Sequence, residues 1–174
     1  KKAHLGLSGG IDSALVAVLA AKAIGPENLT CIAMPSRFSS AGSIDDSVEL
    51  AAKLGCRLET IPIEGPFSSF LATMEPHFAG LPFGLTEENL QARVRGDILM
   101  AWSNKFDSML LTTGNKSELA VGYCTLYGDM CGALAPIGDL LKTEVFELCE
   151  SVYAREGLLP RAIIDKPPSA ELRP

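Results

Sequence analysis

The chain has 174 residues, 47% of them hydrophobic and 21% charged, which is ordinary for one globular domain with a substantial core. Its net charge of −6 argues against a general nucleic-acid binder, and no apolar stretch reaches the length of about twenty residues that predicts a membrane span. Five cysteines without a Cys-x-x-Cys pair and two distant histidines argue against a disulfide scaffold, a zinc site or a histidine-based centre, and they favour a cytoplasmic protein.

The first predicted unit is a strand over residues 3–7, a glycine turn and a helix over residues 14–24. The turn reads Ser8-Gly9-Gly10-Ile11-Asp12-Ser13. Its backbone N–H groups and hydroxyls lie at the positive end of a helix dipole, which suits a bound phosphate. Because a carboxylate repels phosphate, Asp12 predicts a divalent cation between the two. The alternative is a plain strand-to-helix turn in which Asp12 or Ser13 caps the helix.

Strands and helices then alternate along the rest of the chain. We predict strands over residues 29–34, 57–63 and 109–113, and helices over residues 44–54, 68–75, 86–104, 116–121 and 141–154. A polar loop spans residues 36–43, and Ser43 with Asp46 predicts a capping box for the helix that follows. This alternation predicts an α/β fold with a doubly wound parallel sheet and helices on both faces. Ligands bind such sheets at the carboxyl ends of the strands.

A second polar segment, residues 112–118, follows the fourth predicted strand. Glu118 in this segment can join Asp12 on a cation, because neighbouring strand ends meet at one edge of a sheet. The alternative is a capped helix with Asn115 at the N-cap and Glu118 three residues later, and the two interpretations are compatible. By residue type alone, Asp129 is typical of a turn and Lys142 of a solvated helix surface.

The glycine turn resembles the pyrophosphate loop of the ATP pyrophosphatases, which split ATP into AMP and pyrophosphate. The order of the motifs along nearly the whole chain resembles the NAD synthetase family more specifically. The segments that carry this resemblance are Ser8 to Ser13, Met34-Pro35-Ser36, Glu88 to Arg95, Gly114 to Glu118, Tyr127-Gly128-Asp129 and Pro168 to Leu172. Their Met-Pro-Ser, Gln-Ala-Arg and Asn-Lys-Ser-Glu forms are similar to the glutamine-dependent branch, in which an amidase domain precedes the synthetase domain.

The resemblance implies an adenine nucleotide alpha hydrolase-like fold and ATP-dependent amidation of nicotinic acid adenine dinucleotide to NAD. The dinucleotide carboxylate is adenylated with release of pyrophosphate, and ammonia, free or from glutamine, then displaces AMP. It implies magnesium as the metal and a homodimer or larger homo-oligomer as the assembly. Residues 1–174 are expected to be a synthetase domain cut at both ends. The alternatives are another ATP pyrophosphatase such as a GMP synthetase, or a catalytically incomplete ATP-binding fragment.

The resemblance also implies roles for individual residues. Asp12 and Lys142 are the implied catalytic residues, and Asp12 and Glu118 the implied metal ligands. The implied ATP-binding residues are Ser8, Gly9, Gly10, Asp12, Ser13, Thr113, Lys142 and Ser169. The implied dinucleotide-binding residues are Asn89, Arg93, Glu118 and Asp129. Leu126 stands where ammonia-dependent relatives carry a lysine, so the pattern predicts no substrate contact from that side chain.

Overall fold

Four parallel strands form the sheet in a computed structural model that describes residues 1–153, 155–167, 169 and 171–173. The strands are β1 (Ala3–Gly6), β2 (Leu29–Ala33), β3 (Arg57–Thr60) and β4 (Met109–Leu110). They pair in the order β3-β2-β1-β4, with Leu5 of β1 opposite Cys31 of β2. β2 and β3 therefore lie on one side of β1, and β4 pairs with β1 on the other side.

Seven helices connect or follow these strands in the described part of the chain. They are α1 (Ile11–Ile24), α2 (Ala41–Leu54), α3 (Glu64–Phe78), α4 (Leu85–Phe106), α5 (Lys116–Val121), α6 (Lys142–Leu148) and α7 (Arg161–Asp165). A 3₁₀ turn spans Pro26–Asn28, and α6 continues into a π-helical segment over Cys149–Tyr153. None of the described helices is both long and apolar enough to cross a membrane.

Alternating side chains of the strands build a core on each face of the sheet. On one face Leu5 and Leu7 pack with Leu15 of α1 and Leu50 of α2. On the other face Ile32, at the end of β2, packs in a separate cluster with α4 side chains. Because both faces are covered by helices, the predicted doubly wound parallel sheet is confirmed.

Several predicted boundaries differ from the structure. The predicted capping box of Ser43 with Asp46 is wrong, because Ser40 is the N-cap and its Oγ accepts a hydrogen bond from the Ser43 N–H at 3.1 Å. α2 therefore begins at Ala41 rather than at residue 44. Asp46 instead forms an ion pair with Lys166, a contact between distant segments that no local pattern reveals.

The other differences concern lengths. α3 is longer than the predicted 68–75 helix, since Pro66 lies in its first turn, where a missing N–H costs no helical hydrogen bond. The ladders of β3 and β4 are shorter than the predicted strands. In the predicted 141–154 helix, regular α-helix ends at Leu148, and residue 154 lies outside the described residues.

His4 lies fully buried in β1 and forms two hydrogen bonds. Its Nε2 donates to the Leu99 carbonyl at 2.9 Å, and its Nδ1 accepts from the Ser108 hydroxyl at 3.0 Å. This assignment follows because a carbonyl oxygen only accepts, which leaves Nδ1 as the acceptor of a neutral ring. Burial lowers the pKa of His4 below its ordinary value of 6.5, and the bond to Leu99 opposes that effect. The fold therefore holds this histidine in its neutral form.

We expect the free energy of unfolding to decrease as the pH falls below about 6.5, by up to about 1.4 kcal/mol per pH unit. The sign follows because the unfolded chain binds the His4 proton more tightly than the folded chain does. Urea unfolding between about pH 7.5 and 5.5 measures the slope. His4→Gln should flatten it, whereas His77→Gln, at an exposed position in α3, should not. An unchanged slope in His4→Gln would contradict the assignment.

Candidate functional site

A cavity of about 660 Å³ opens at the carboxyl edge of the sheet. The loops that follow β1, β2 and β4 line it, through residues 7–13, 33–35 and 111–114. In a doubly wound sheet the crevice forms where connections from neighbouring strands diverge, and here they diverge from β1 and β4. The three loops predicted to share one edge are therefore brought together.

The glycine turn between β1 and α1 is braced by its own serines. Ser13 Oγ accepts from the Ser8 N–H at 3.2 Å and donates to the Gly10 carbonyl at 3.0 Å. Ser8 Oγ accepts from the Gly10 N–H at 3.3 Å. Gly9 has a φ of 77°, and a Cβ added there would lie 2.3 Å from the Ser43 carbonyl oxygen. The turn thus needs glycine both for its conformation and for its contact with α2.

Asp12 projects from the first turn of α1 and meets side chains from two later elements. Its Oδ1 accepts from Asn115 Nδ2 at 2.9 Å, at the start of α5. Its Oδ2 forms an ion pair with the ammonium of Lys142, at the start of α6. The backbone N–H of Lys142 also donates to Ser117 Oγ at 3.0 Å, which ties α6 to α5. The site is therefore assembled from three helix N-termini.

Glu118 completes this group of charged side chains. The Asn115 side chain accepts from the Glu118 N–H at 3.0 Å, and Glu118 Oε2 accepts from the Asn115 N–H at 3.1 Å. The predicted capping box of α5 is therefore confirmed. Burial raises the pKa of Glu118 above its ordinary value of 4.5; the charge of Asp12 adds to this effect, and the charge of Lys142 opposes it. Asp12 and Glu118 both line the cavity, so the fold brings the two carboxyl groups to one site.

The donor set of Asp12 and Glu118 fits magnesium bound together with a nucleotide. Mg²⁺ commonly takes one or two carboxylates and completes its shell with water and phosphate oxygens. Within the described residues no group of three or more histidine, cysteine or carboxylate side chains could hold a metal alone. Phosphate oxygens would therefore supply part of the coordination shell.

Most of the predicted site residues line this cavity. Besides the glycine turn, they are Thr113, Glu118, Asp129, Lys142 and Ser169. Asp129 also accepts from the Thr125 N–H at 2.7 Å, which agrees with a turn residue, and burial raises its pKa. Pro168 and Ala170 of the predicted Pro168 to Leu172 motif lie outside the described residues.

Asn89 and Arg93 lie on α4 outside the cavity lining. Asn89 Oδ1 accepts from the Thr125 hydroxyl at 2.8 Å, and Arg93 Nε donates to the Leu126 carbonyl at 3.2 Å. Both side chains therefore hold the turn over residues 125–129. The structure separates these two predicted dinucleotide-binding residues from the predicted ATP-binding residues.

The sequence analysis missed Arg95, which lines the cavity two residues after Arg93. Its Nε donates to the Met34 carbonyl at 3.1 Å. Burial lowers the pKa of Arg95 to about 10, and the charge of Glu171 opposes this shift. Two residues turn a helix by about 200°, so the two arginines face different directions. The Gln-Ala-Arg-Val-Arg pattern does not say which of them faces a ligand.

Glu171 also escaped the sequence analysis. Its Oε1 accepts from the hydroxyls of Ser40 and Ser43, each at 2.8 Å, at the N-terminus of α2. Hydrogen bonds from these serines lower the pKa of Glu171, although burial alone would raise it. Arg173 pairs with Glu88 of α4 at 2.7 Å. Residues 171–173 therefore connect α2 with α4 beside the cavity.

Comparison with known proteins agrees with the motif order. A family model described as NAD synthase matches residues 1–174. A glutamine-dependent NAD(+) synthetase from Rhodobacter capsulatus is 57% identical over 97% of the chain. The chain spans about a third of the length of this relative, 32%.

Solved structures give the same result for the fold. A glutamine-dependent NAD+ synthetase from Acinetobacter baumannii in complex with ADP has a TM-score of 0.92 at 45% identity; the match covers 97% of this chain and 32% of that one. An NMN synthetase from Francisella tularensis has a TM-score of 0.88 at 34% identity, covering 98% of this chain and 67% of that one.

Proposed function

Since the chain belongs to the NAD synthase family, we propose that residues 1–174 are the synthetase domain of a glutamine-dependent NAD synthetase. The domain would amidate nicotinic acid adenine dinucleotide with ammonia, free or drawn from glutamine. In the first step the dinucleotide carboxylate attacks the α-phosphate of ATP and pyrophosphate leaves. In the second step ammonia attacks the acyl carbon of this mixed anhydride and AMP leaves. A free carboxylate is a poor acyl donor, so adenylation supplies the leaving group that amidation needs.

The observation that carries this proposal is the meeting of Asp12, Glu118 and Lys142 beside the glycine turn. Backbone N–H groups at the N-terminus of α1 would bind the leaving pyrophosphate. Asp12 and Glu118 would hold magnesium, which neutralises the charge that develops on the phosphates. The ammonium group of Lys142 forms an ion pair with Asp12 in this structure. Phosphate oxygens of ATP would compete with Asp12 for this ammonium group. These residues suit transfer of the adenylyl group of ATP with release of pyrophosphate.

We propose that the dinucleotide site lies against a second copy of the chain in a homodimer. Asn89 and Arg93 are not among the residues that line the ATP cavity, and they contact the turn at residues 125–126. Large apolar side chains are exposed around that turn, namely Val121, Leu126 and Tyr127, together with Leu119, Tyr123 and Met130, which also line the ATP cavity. Exposed apolar side chains of this density commonly mark a protein interface. A partner subunit on this face would cover them and close the dinucleotide site.

A cytoplasmic location also belongs to the proposal. The five cysteines are free, and Cys31 and Cys149 are buried, which suits a reducing compartment. The net charge of −6 gives no support for a nucleic-acid partner.

With magnesium present, the full-length protein that contains this chain is expected to convert the dinucleotide acid, ATP and ammonia into NAD, AMP and pyrophosphate in equal amounts. Chromatography of the nucleotides with a pyrophosphate assay measures the yield. Pyrophosphate release with xanthylate instead would identify a GMP synthetase. Thermal stabilisation by ATP without pyrophosphate release would identify a non-catalytic nucleotide-binding module. Nicotinic acid mononucleotide is tested in the same assay in place of the dinucleotide acid, because a structural neighbour is an NMN synthetase.

A further inference from the structure

We propose that Asn115 is a positioning residue that joins Asp12 and Glu118 into one site for a magnesium-bound nucleotide. The inference deepens the proposed function and rests on it for the role of the two carboxylates. It assigns to Asn115 a task beyond its place as the N-cap of α5. The side chain is fully buried, so its polar atoms depend on protein partners.

The contacts of Asn115 reach both carboxylates. Its Nδ2 donates to Asp12 Oδ1 at 2.9 Å across 103 positions of sequence. Its backbone N–H donates to Glu118 Oε2 at 3.1 Å, and its side chain accepts from the Glu118 N–H at 3.0 Å. One residue therefore orients a carboxylate of α1 and a carboxylate of α5 at the same time.

Asp12 and Glu118 line one cavity, where two ionised carboxylates disfavour one another unless fixed donors hold them. The two N–H groups of Asn115 hold one oxygen of each carboxylate and leave the other oxygen for a different partner. At Asp12 that second oxygen faces Lys142. Hydrogen bonds of this kind preorient metal ligands in proteins, and their loss commonly weakens metal binding about 10- to 100-fold.

A capping role alone would require much less of this residue. Serine, aspartate and asparagine cap helices about equally well, since a cap needs only a side-chain oxygen. The bond to Asp12 needs in addition an N–H donor at the far end of the side chain. Asparagine supplies both groups, whereas serine is too short and aspartate has no donor when ionised.

The test compares Asn115→Ser and Asn115→Thr with the wild type in the full-length protein. Both variants keep the cap and lose the donor to Asp12. The probe is magnesium together with an ATP analogue that carries a methylene bridge between the α- and β-phosphates. Calorimetry measures binding of the analogue at increasing magnesium concentrations. We expect the magnesium concentration for half-maximal analogue binding to rise about 10- to 100-fold. The melting temperature without ligand should change by only a few degrees, about what 1 kcal/mol produces at this size.

A second arm repeats Asn115→Ser in an Asp12→Asn background. If Asn115 acts through Asp12, the second substitution should add little to the magnesium requirement. Additive effects, or a wild-type magnesium requirement in both single variants, would overturn the inference. Loss of the folded state in both variants would overturn it too, because Asn115 would then serve the fold rather than the site.

The binding probe separates this inference from the proposed function. A wild-type protein that binds the analogue with magnesium but forms no NAD would contradict the proposed amidation and leave the result for Asn115 valid. A wild-type protein that binds the analogue equally well without magnesium would contradict the role of Asn115, even if NAD is formed.

Discussion

Asp12→Asn is expected to lower kcat for NAD formation about 100- to 1,000-fold while the protein stays folded. This range is typical when one group that stabilises developing charge is removed from an active site. Asparagine keeps an oxygen that accepts from Asn115 Nδ2, but it lacks the charge that would attract magnesium. Steady-state assays at saturating ATP, with pyrophosphate release as the signal, measure the loss.

The control for this prediction is Asp45→Asn, which removes the same charge from an exposed position of α2. The control should keep the kcat of the wild type. The melting temperature of Asp12→Asn should fall by no more than about 4 °C, because the partly exposed ion pair with Lys142 contributes about 1 kcal/mol or less. If Asp12→Asn retained more than about a tenth of the wild-type kcat, Asp12 would have no catalytic role.

Lys142→Met is expected to weaken ATP binding about 10- to 100-fold and to lower kcat as well. The factor corresponds to the roughly 1.5–3 kcal/mol that a hydrogen bond to a charged group contributes. The ammonium of Lys142 is held at the cavity by Asp12 and by the start of α6, so it lies beside the place proposed for the phosphates. Titration with the methylene-bridged ATP analogue measures binding apart from chemistry.

Two variants control the Lys142 result. Lys116→Met removes a positive charge from an exposed position at the start of α5, outside the cavity lining, and should bind the analogue as the wild type does. Lys142→Arg keeps the charge and should retain more binding than Lys142→Met. Equal losses in Lys116→Met and Lys142→Met would show a general effect of charge rather than a contact at Lys142.

In this structure Lys142 is the cation that neutralises Asp12. Phosphates and magnesium would replace this pairing, since the phosphates attract the lysine and magnesium attracts the carboxylates. The exchange keeps opposite charges next to one another throughout binding. It offers a physical reason why a carboxylate stands beside a turn proposed to bind phosphate.

The glycine turn could be read from the sequence because its chemistry is local. Residues 8–13 contain the two glycines, the serines and the first turn of α1 that make the loop, and the structure shows their arrangement. The adenine nucleotide alpha hydrolase-like fold was also predicted, and the structural neighbours confirm it. Strand and helix periodicities extend over whole elements, so small boundary errors did not change the topology.

The errors occurred where a local pattern allowed two answers. Ser40 and Ser43 are both good caps, and the structure uses Ser40. Arg93 and Arg95 share one motif, and only Arg95 lines the cavity. Glu118 forms the predicted capping box of α5, and its role as a cation ligand with Asp12 stays a prediction.

By itself the sequence determined the doubly wound sheet, the glycine turn and the family, because these depend on periodicity and on residues close together in the chain. The tertiary structure alone decided that Asn115 and Lys142 meet Asp12, across 103 and 130 positions, and that Glu171 reaches Ser40. Those contacts depend on how α1, α2, α5 and α6 pack around the edge of the sheet. The packing of the core sets that arrangement, and no spacing within the sequence records it.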